Sequence, residues 1–147
     1  MSADLPRSHY RHFVAIPTRW MDNDAYGHVN NVVYYSYFDT AVNQHLIRAG
    51  GLDVMRDPVI GLVVETACVF RRSFAFPEMV DAGLAVTHLG TSSVVYAIGL
   101  FRQGDDLPAA VGRFVHVWVE RETQRPTPLP DTIRAALVPL VVDDRSQ

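Results

Sequence analysis

The sequence predicts an α+β fold in which a five-stranded antiparallel sheet wraps around one long helix. Three observations support this class: a single stretch of helical apolar periodicity, five extended stretches rich in Val, Ile and Phe, and short polar breaks between the later ones. At 147 residues, the chain has the usual size of one domain. We therefore expect a single domain over residues 1–147, with flexible ends at about 1–10 and 139–147.

The first elements are a strand, a polar turn and the long helix. The strand is expected at residues 12–19 and the turn at residues 22–28. Asn30 is expected to cap the helix and Gly50-Gly51 to stop it, which gives about twenty residues and a rod of roughly 30 Å. The side chains that recur at helical spacing form a broad stripe: Val33, Tyr34, Tyr37, Phe38, Ala41, Val42, His45, Leu46 and Ala49.

The rest of the chain is expected to be mostly extended. Four strands are predicted, at residues 59–72, 79–89, 92–102 and 107–121. The last three are separated by short polar breaks, which imply antiparallel neighbours. A proline-rich tail follows, and Asp131 is expected to cap a short final helix that runs through Leu137.

The last strand predicts more than one copy of the chain. A single helix about 10 Å across cannot cover both faces of a five-stranded sheet. The last strand is nonetheless apolar on both faces, with Phe114 and Trp118 on one face and four valines on the other: Val111, Val115, Val117 and Val119. We therefore expect the sheet to curl around the helix and to bury its remaining surface in a homodimer or homotetramer.

Composition and charge exclude several classes of function. With a net charge of −3 and no basic run, nucleic acid is not an expected partner. No apolar stretch approaches the roughly 20 residues that span a bilayer, so no membrane association is expected. The polar start lacks the core of a signal peptide, and the single cysteine, Cys68, forbids an internal disulfide, which together predict a cytoplasmic protein. All 13 basic residues are arginine, so lysine chemistry is excluded.

The densest polar cluster lies between the first strand and the helix, at residues 22–31. Asp22 and Asp24 stand just before a helix start, where unpaired N–H groups and a positive potential can stabilise an oxyanion. A carboxylate there can attack a carbonyl or activate water, so the cluster indicates acyl transfer. The alternative is that both aspartates make only local turn hydrogen bonds and that Asn30 only caps the helix.

The other polar residues give weaker indications of function. Glu65 lies in the middle of a strand, either at the sheet surface or in a pocket where its pKa matters. Cys68 is expected to be a core residue, because neither a helix start nor a basic partner adjoins it. The histidines have no metal-ligand spacing, so neither a metal nor a redox cofactor is expected.

The stretch DNDAYGHVNN at residues 22–31, followed by Tyr34-Tyr35 and Phe38, resembles the signature of the 4-hydroxybenzoyl-CoA thioesterase and YbgC-like branch of the hotdog superfamily. Similar landmarks continue to about residue 137. The resemblance implies a hotdog enzyme that hydrolyses an acyl-CoA to a free acid and coenzyme A, with its active site at a dimer interface. It implies that Asp24 is the nucleophile or general base, that the Asn31 N–H polarises the thioester carbonyl, and that Gly27 permits close approach of the substrate.

The remaining residues of the expected site have looser roles. His28 is expected to orient the substrate or to fix the turn, because Tyr26 replaces the asparagine found in the related plant acyl-carrier-protein thioesterases. Tyr26 and Tyr34 are candidates for the acyl pocket, and Glu65 is a further candidate contact. Arginine suits phosphate, so Arg71 and Arg72 are the candidates for the phosphates of coenzyme A, with Ser92 and Ser93 as candidate hydrogen-bond donors. The alternative is that both arginines lie on a solvated loop.

Two other functions stay open at this point. Hotdog hydratases and dehydratases also use a carboxylate and a histidine, so Asp24 with His28 can be read as a site for an enoyl or 3-hydroxyacyl thioester. Some hotdog domains bind acyl-CoA without turning it over. The sequence determines neither the acyl group nor whether coenzyme A or acyl carrier protein carries it.

Overall fold

The computed structural model describes residues 4–143. The predicted order of elements is confirmed: β1 (His12–Pro17), α1 (Asn31–Gly50), β2 (Val59–Phe70), β3 (Met79–Leu89), β4 (Ser93–Arg102), β5 (Ala110–Glu120) and α2 (Asp131–Leu137). Short 3-10 turns occur at Arg7–His9, Trp20–Asp22 and Val138–Leu140. The prediction of flexible ends falls in part on residues 1–3 and 144–147, which lie outside the described residues.

The five strands form one antiparallel sheet in the order β1-β3-β4-β5-β2. β3, β4 and β5 are consecutive neighbours, as their short links predicted. β2 pairs with β5 and not with β3, so the connection between β2 and β3 crosses from one side of the sheet to the other. The predicted fold class is confirmed, and β1 and β2 are the edge strands.

Several element ends differ from the prediction. β1 ends at Pro17 and not at residue 19, β2 ends at Phe70 and not at residue 72, β4 begins one residue late, and β5 covers Ala110–Glu120 and not 107–121. The Ala109 carbonyl accepts the N–H groups of both Arg71 and Arg72, at 2.8 and 2.9 Å. Because one carbonyl accepts both N–H groups, the chain leaves the β2–β5 ladder after β2. Pro108, the residue before Ala109, has no N–H to donate to the ladder. α2 has Pro130 at its N-cap, so the prediction that Asp131 caps it is wrong.

The long helix is held close to the sheet. The Asn30 side chain accepts the Val32 N–H at 3.1 Å, and Gly51 ends the helix with a φ of 67°, so the predicted cap and stop are confirmed. Phe38 is fully buried on the inner face of the sheet. A Cβ at Gly112 of β5 would overlap the Phe38 ring, so the glycine allows the helix to approach the strand.

The outer face of the sheet is covered in part by the two ends of the chain. Tyr10 and Val142 pack there against Ala85 and Phe101. Three of the four outer valines of β5 are already buried within the chain, with exposures of 2%, 8% and 3% for Val111, Val115 and Val119, and Val117 is half-buried. These valines leave little surface for a partner to cover, so the argument from β5 to a second subunit does not hold.

Exposed apolar side chains lie at the edge strand β2. Val63 and Val64 in its middle are 46% and 58% exposed, and the register against β5 shifts between Val63 and Glu65. Within residues 4–143, no strand pairs with the outer edge of β2. No helix in the described part of the chain is long and apolar enough to cross a membrane.

Candidate active site

A tight hairpin between β1 and α1 presents the predicted catalytic residues. The Asp24 N–H donates to the His28 carbonyl at 2.8 Å, and the Gly27 N–H donates to the Asp24 carbonyl at 3.0 Å. Gly27 has a φ of 83°, a conformation that side chains disfavour. A Cβ at Gly27 would meet no atom within 4 Å, so the backbone conformation, and not crowding, requires the glycine. Tyr26 and His28 are exposed on this hairpin.

Asp22 anchors the hairpin. Its carboxylate is 1% exposed and accepts hydrogen bonds from the Arg19 N–H at 2.9 Å, the Arg19 guanidinium at 3.0 Å and the Tyr37 hydroxyl at 2.9 Å. Burial acts to raise the pKa of Asp22, but these hydrogen bonds and the positive charge of Arg19 outweigh it and hold the pKa below its usual value. Burial, together with the hydrogen bond to the negatively charged Asp22 carboxylate, raises the pKa of Tyr37. Asp22 is therefore a structural carboxylate with its oxygens occupied.

Asp24, two residues on, is available for chemistry. Its Oδ1 accepts the Tyr26 N–H at 2.9 Å, and no described residue binds its other carboxylate oxygen. The side chain is half-buried at the base of the hairpin. Of the two aspartates in the motif, only Asp24 has an oxygen free to meet a substrate or a water.

Backbone hydrogen bonds hold the hairpin against the start of α1. The Asn30 N–H donates to the Asp22 carbonyl at 2.9 Å, and the Val29 N–H donates to the Phe74 carbonyl at 2.8 Å. Asn30 accepts hydrogen bonds from N–H groups of the next turn, but it does not accept the N–H of Asn31, the first helical residue. No described residue accepts the Asn31 N–H, so this amide and the positive end of the helix remain available.

A cavity of about 270 Å³ opens beside this helix start. Asn31, Tyr34 and Phe70 line it, with Arg71 and Arg72 at its rim. The Tyr34 and Phe70 rings meet edge to face with centroids 4.9 Å apart, and burial raises the pKa of Tyr34. The cavity thus joins an apolar wall to a free backbone amide and two guanidinium groups.

The two arginines differ in their partners. The Arg71 Nε forms an ion pair with Asp4 at 3.0 Å. The Arg72 guanidinium makes only long contacts, of 3.4 and 3.5 Å, to the Leu107 and Pro108 carbonyls, and it pairs with no described carboxylate. Arg72 is therefore the freer of the two cations.

Three residues of the expected site lie elsewhere in the chain. Glu65 is on the face of β2 that points away from α1, where it contacts the Arg113 guanidinium at 3.4 Å. Ser92 lies in the turn between β3 and β4 and Ser93 begins β4, and the Ser92 carbonyl accepts the Trp118 N–H at 2.7 Å. Within one chain this turn is at the opposite end of the sheet from Asn31.

Sequence reasoning missed several residues of this region. Phe70 and Ser73 line the cavity, and Tyr37 holds Asp22. The apolar stripe of the helix contained Tyr37 but gave no sign that its hydroxyl meets a carboxylate.

Across residues 4–143, no group of three or more His, Cys, Asp or Glu side chains is placed to hold a metal ion. Burial raises the pKa of the Cys68 thiol to about 12, so the thiol stays protonated at neutral pH.

Comparison with known proteins places these features in a family. The model of the thioesterase-like superfamily matches residues 18–137. The crystal structure of the PA5185 protein from Pseudomonas aeruginosa is 51% identical, with a TM-score of 0.93 over 95% of this chain and 97% of that one. The PA2801 protein from the same species, for which thioesterase activity has been proposed, is 33% identical, with a TM-score of 0.79 over 86% and 98%.

A more distant structure shows the same fold. Slr0204, a 1,4-dihydroxy-2-naphthoyl-CoA thioesterase from Synechocystis, is 14% identical, with a TM-score of 0.77 over 85% of this chain and 93% of that one. The hotdog fold is therefore confirmed. A comparison with curated protein sequences yields no match.

Proposed function

The chain belongs to the thioesterase-like superfamily and is a thioester hydrolase, and we propose that it hydrolyses an acyl-CoA to a carboxylic acid and coenzyme A with Asp24 as its catalytic carboxylate. One observation carries the choice of residue. Asp22 has its oxygens occupied by Arg19 and Tyr37, whereas Asp24 keeps an oxygen free beside a helix start. The two aspartates of the motif thus have different proposed roles: Asp22 anchors the hairpin, and Asp24 is the reactive group.

In the proposed reaction, the thioester carbonyl lies at the start of α1. Asp24 either attacks the carbonyl carbon or takes a proton from an attacking water. By either route the C–S bond breaks, the sulfur leaves as coenzyme A after it gains a proton, and water supplies the second oxygen of the free acid. The chemistry needs no change of oxidation state.

The free Asn31 N–H is the group proposed to stabilise the transition state. Negative charge develops on the carbonyl oxygen as the carbon becomes tetrahedral. A fixed backbone donor at the positive end of a 20-residue helix stabilises that charge without having to reorganise. Arg72, whose guanidinium has no carboxylate partner among the described residues, is proposed to meet the phosphates of coenzyme A.

We propose a dimer built through the free edge of β2. Exposed edge strands recruit further strands unless they are covered. Large apolar side chains are also exposed along β2 and beside the helix start, and such patches mark interfaces. The set comprises Trp20, Met21, Tyr26, Val32, Val63, Val64 and Phe70. Size-exclusion chromatography with light scattering should give a dimer or a multiple of it, and a monomer would contradict this proposal.

Free-thiol release from a panel of acyl-CoAs tests the reaction and the residue together. Asp24→Asn should lower kcat/KM by about 10² or more while the protein stays folded. Asp53→Asn is the matched control, because Asp53 Oδ1 accepts the Met55 N–H at 3.0 Å in the same local turn but lies after the helix. The control should keep wild-type turnover.

Other outcomes would overturn parts of the proposal. Full activity in Asp24→Asn would remove Asp24 from the mechanism. Loss of enoyl absorbance from crotonyl-CoA without free thiol would establish a hydratase. Tight acyl-CoA binding by calorimetry without turnover of any thioester would establish a binding protein.

A further inference from the structure

A second cavity lies at the other end of α1, between the helix and the inner face of the sheet. It encloses about 170 Å³, and the apolar part of its wall is formed by Leu46, Leu52, Val54 and Ile60. Val54 is 50% exposed, so this side of the cavity opens to solvent and can admit a ligand. An apolar cavity of about 150 Å³ binds a benzene ring. This cavity therefore has room for one ring-sized group.

Two buried polar atoms without partners lie in the wall of the same cavity. His116 is 2% exposed and Trp118 is fully buried. Neither His116 Nδ1 nor Trp118 Nε1 has a hydrogen-bond partner among residues 4–143. Buried polar atoms in native proteins are nearly always bonded. The two atoms therefore indicate that the cavity binds a polar group as well as a ring.

Gly61 of β2 leaves open the point at which both atoms can be reached. A Cβ at Gly61 would lie 3.1 Å from His116 Nδ1 and 3.2 Å from Trp118 Cε2, the ring atom bonded to Nε1. Gly61 is also the residue that pairs with Trp118 in the β2–β5 register. Because residue 61 has no side chain, a single ligand oxygen in front of it can contact both nitrogens.

The chemistry of the wall indicates which polar group fits. Burial lowers the pKa of His116 to about 4, so the ring is neutral near pH 7, with one donor and one acceptor nitrogen. The Trp118 Nε1–H only donates. A hydroxyl oxygen accepts from Trp118 and can either donate to His116 Nδ1 or accept from it, so a hydroxyl suits both tautomers. A carboxylate does not fit, because no described residue that lines the cavity is charged at neutral pH to balance it.

The cavity is separate from the proposed catalytic carboxylate of its own chain. Asn31 begins α1, and Asn43, which lines the cavity, stands twelve residues later. At 1.5 Å per residue, about 18 Å separates the two along the helix axis. A ring-sized ligand in this cavity therefore does not reach the Asp24 of the same chain.

We propose that this cavity is a second small-molecule site, which binds a neutral, ring-sized molecule with one hydroxyl group, of the phenol class. The hydroxyl lies in front of Gly61, accepts the Trp118 Nε1–H and pairs with His116 Nδ1, and the ring lies among the apolar side chains. The inference goes beyond the proposed thioesterase function and does not rest on it, because it uses neither Asp24 nor Asn31.

A phenol titration followed by the indole N–H signals in NMR tests the site. The chain has two tryptophans, and the Trp20→Phe variant assigns their signals. Phenol should move the Trp118 signal with a Kd of about 1 mM or tighter. Trp20, which is 77% exposed beside the hairpin that carries Asp24, should be nearly unchanged. A fixed Trp118 signal, as expected if only water occupies the cavity, or one that moves no more than that of Trp20, would overturn the proposal.

Toluene, which has nearly the size of phenol but no hydroxyl, tests the polar contacts. Phenol should bind to the wild type about tenfold more tightly than toluene, because only its hydroxyl pairs with the buried nitrogens. His116→Phe should remove most of this preference while it still binds toluene. His88→Phe, at an exposed position of β3, is the matched control and should keep the preference. Equal affinities in the wild type, or an unchanged preference in His116→Phe, would overturn the assignment of a hydroxyl ligand.

Gly61→Ala tests where the hydroxyl lies. Its methyl group takes the position proposed for the ligand oxygen, so phenol should bind at least about tenfold more weakly, and toluene should be affected less. Unchanged phenol affinity in a folded Gly61→Ala protein would contradict the placement. If this variant does not fold, the preference for phenol over toluene in the wild type and its loss in His116→Phe still decide the proposal.

Discussion

The two ends of α1 carry the same local motif in opposite surroundings. Before the helix, Asp24 Oδ1 accepts the Tyr26 N–H at 2.9 Å, and after it Asp53 Oδ1 accepts the Met55 N–H at 3.0 Å. At the start of the helix, the Asn31 N–H has no acceptor among the described residues. At its end, the chain folds back on itself, and the Gly51 N–H donates to the Ile47 carbonyl at 3.2 Å.

In the proposed mechanism, the position of Asp24 at the positive end of the helix, and not the aspartate turn itself, makes its carboxylate reactive. The helix start stabilises developing negative charge, and the helix end repels it. The end of the helix is used for packing: the His45 Nε2 lies 2.9 Å from the Ala136 carbonyl of α2, and the His116 cavity opens nearby. The proposed mechanism thus places bond cleavage at the start of α1, whereas its other end packs against α2.

The largest expected effect on stability is at the Asp22 anchor. Asp22→Ala should lower the free energy of unfolding by about 3 kcal/mol, because it leaves the buried Tyr37 hydroxyl without an acceptor and releases Arg19. Asp53→Ala, at the other end of the helix, should cost about 1 kcal/mol or less, as expected for an exposed turn residue. Urea denaturation of both variants measures the difference, and equal losses would show that Asp22 is no anchor.

A smaller effect should appear as pH dependence at the His116 cavity. The folded pKa of His116 is lowered to about 4 from 6.5, so the unfolded chain binds more protons between those values. The contribution of neutral His116 to the free energy of unfolding is fully present above about pH 6.5. It should be lost as the pH drops towards 4, by at most about 1.4 kcal/mol per pH unit. His116→Phe should show a shallower fall than His88→Phe in urea titrations across this range. Parallel profiles would contradict a buried neutral His116.

Local patterns predicted most of the fold. The helix stripe and the Asn30 cap gave the start of α1, and β3 has the predicted ends, because both depend on neighbours within a few residues. The partner of β2 was not predictable in the same way. β2 pairs with β5 although residues 71–109 separate the two strands along the chain, and chain spacing carries no information on such a long-range choice.

The sequence located the segment that carries the site, but it did not distinguish the roles of the residues within it. Asp22 and Asp24 are equivalent in the sequence, and the contact that separates them comes from Tyr37, a turn and a half into the helix. His116 was interpreted as isolated, because its cavity is assembled from α1, β2 and β5.

The most direct test of the active helix start is kcat/KM for Asn31→Pro beside Asn31→Ala. Proline is favoured at the first helical position, and Asn30, with φ −61° and ψ 139°, already has the conformation required before proline. Asn31→Pro therefore removes the N–H while the helix is retained. It should lower turnover of acyl-CoA by about 10²–10³, and Asn31→Ala should stay within a few-fold of wild type. Wild-type turnover by a folded Asn31→Pro protein would show that the Asn31 amide does not hold the developing oxyanion.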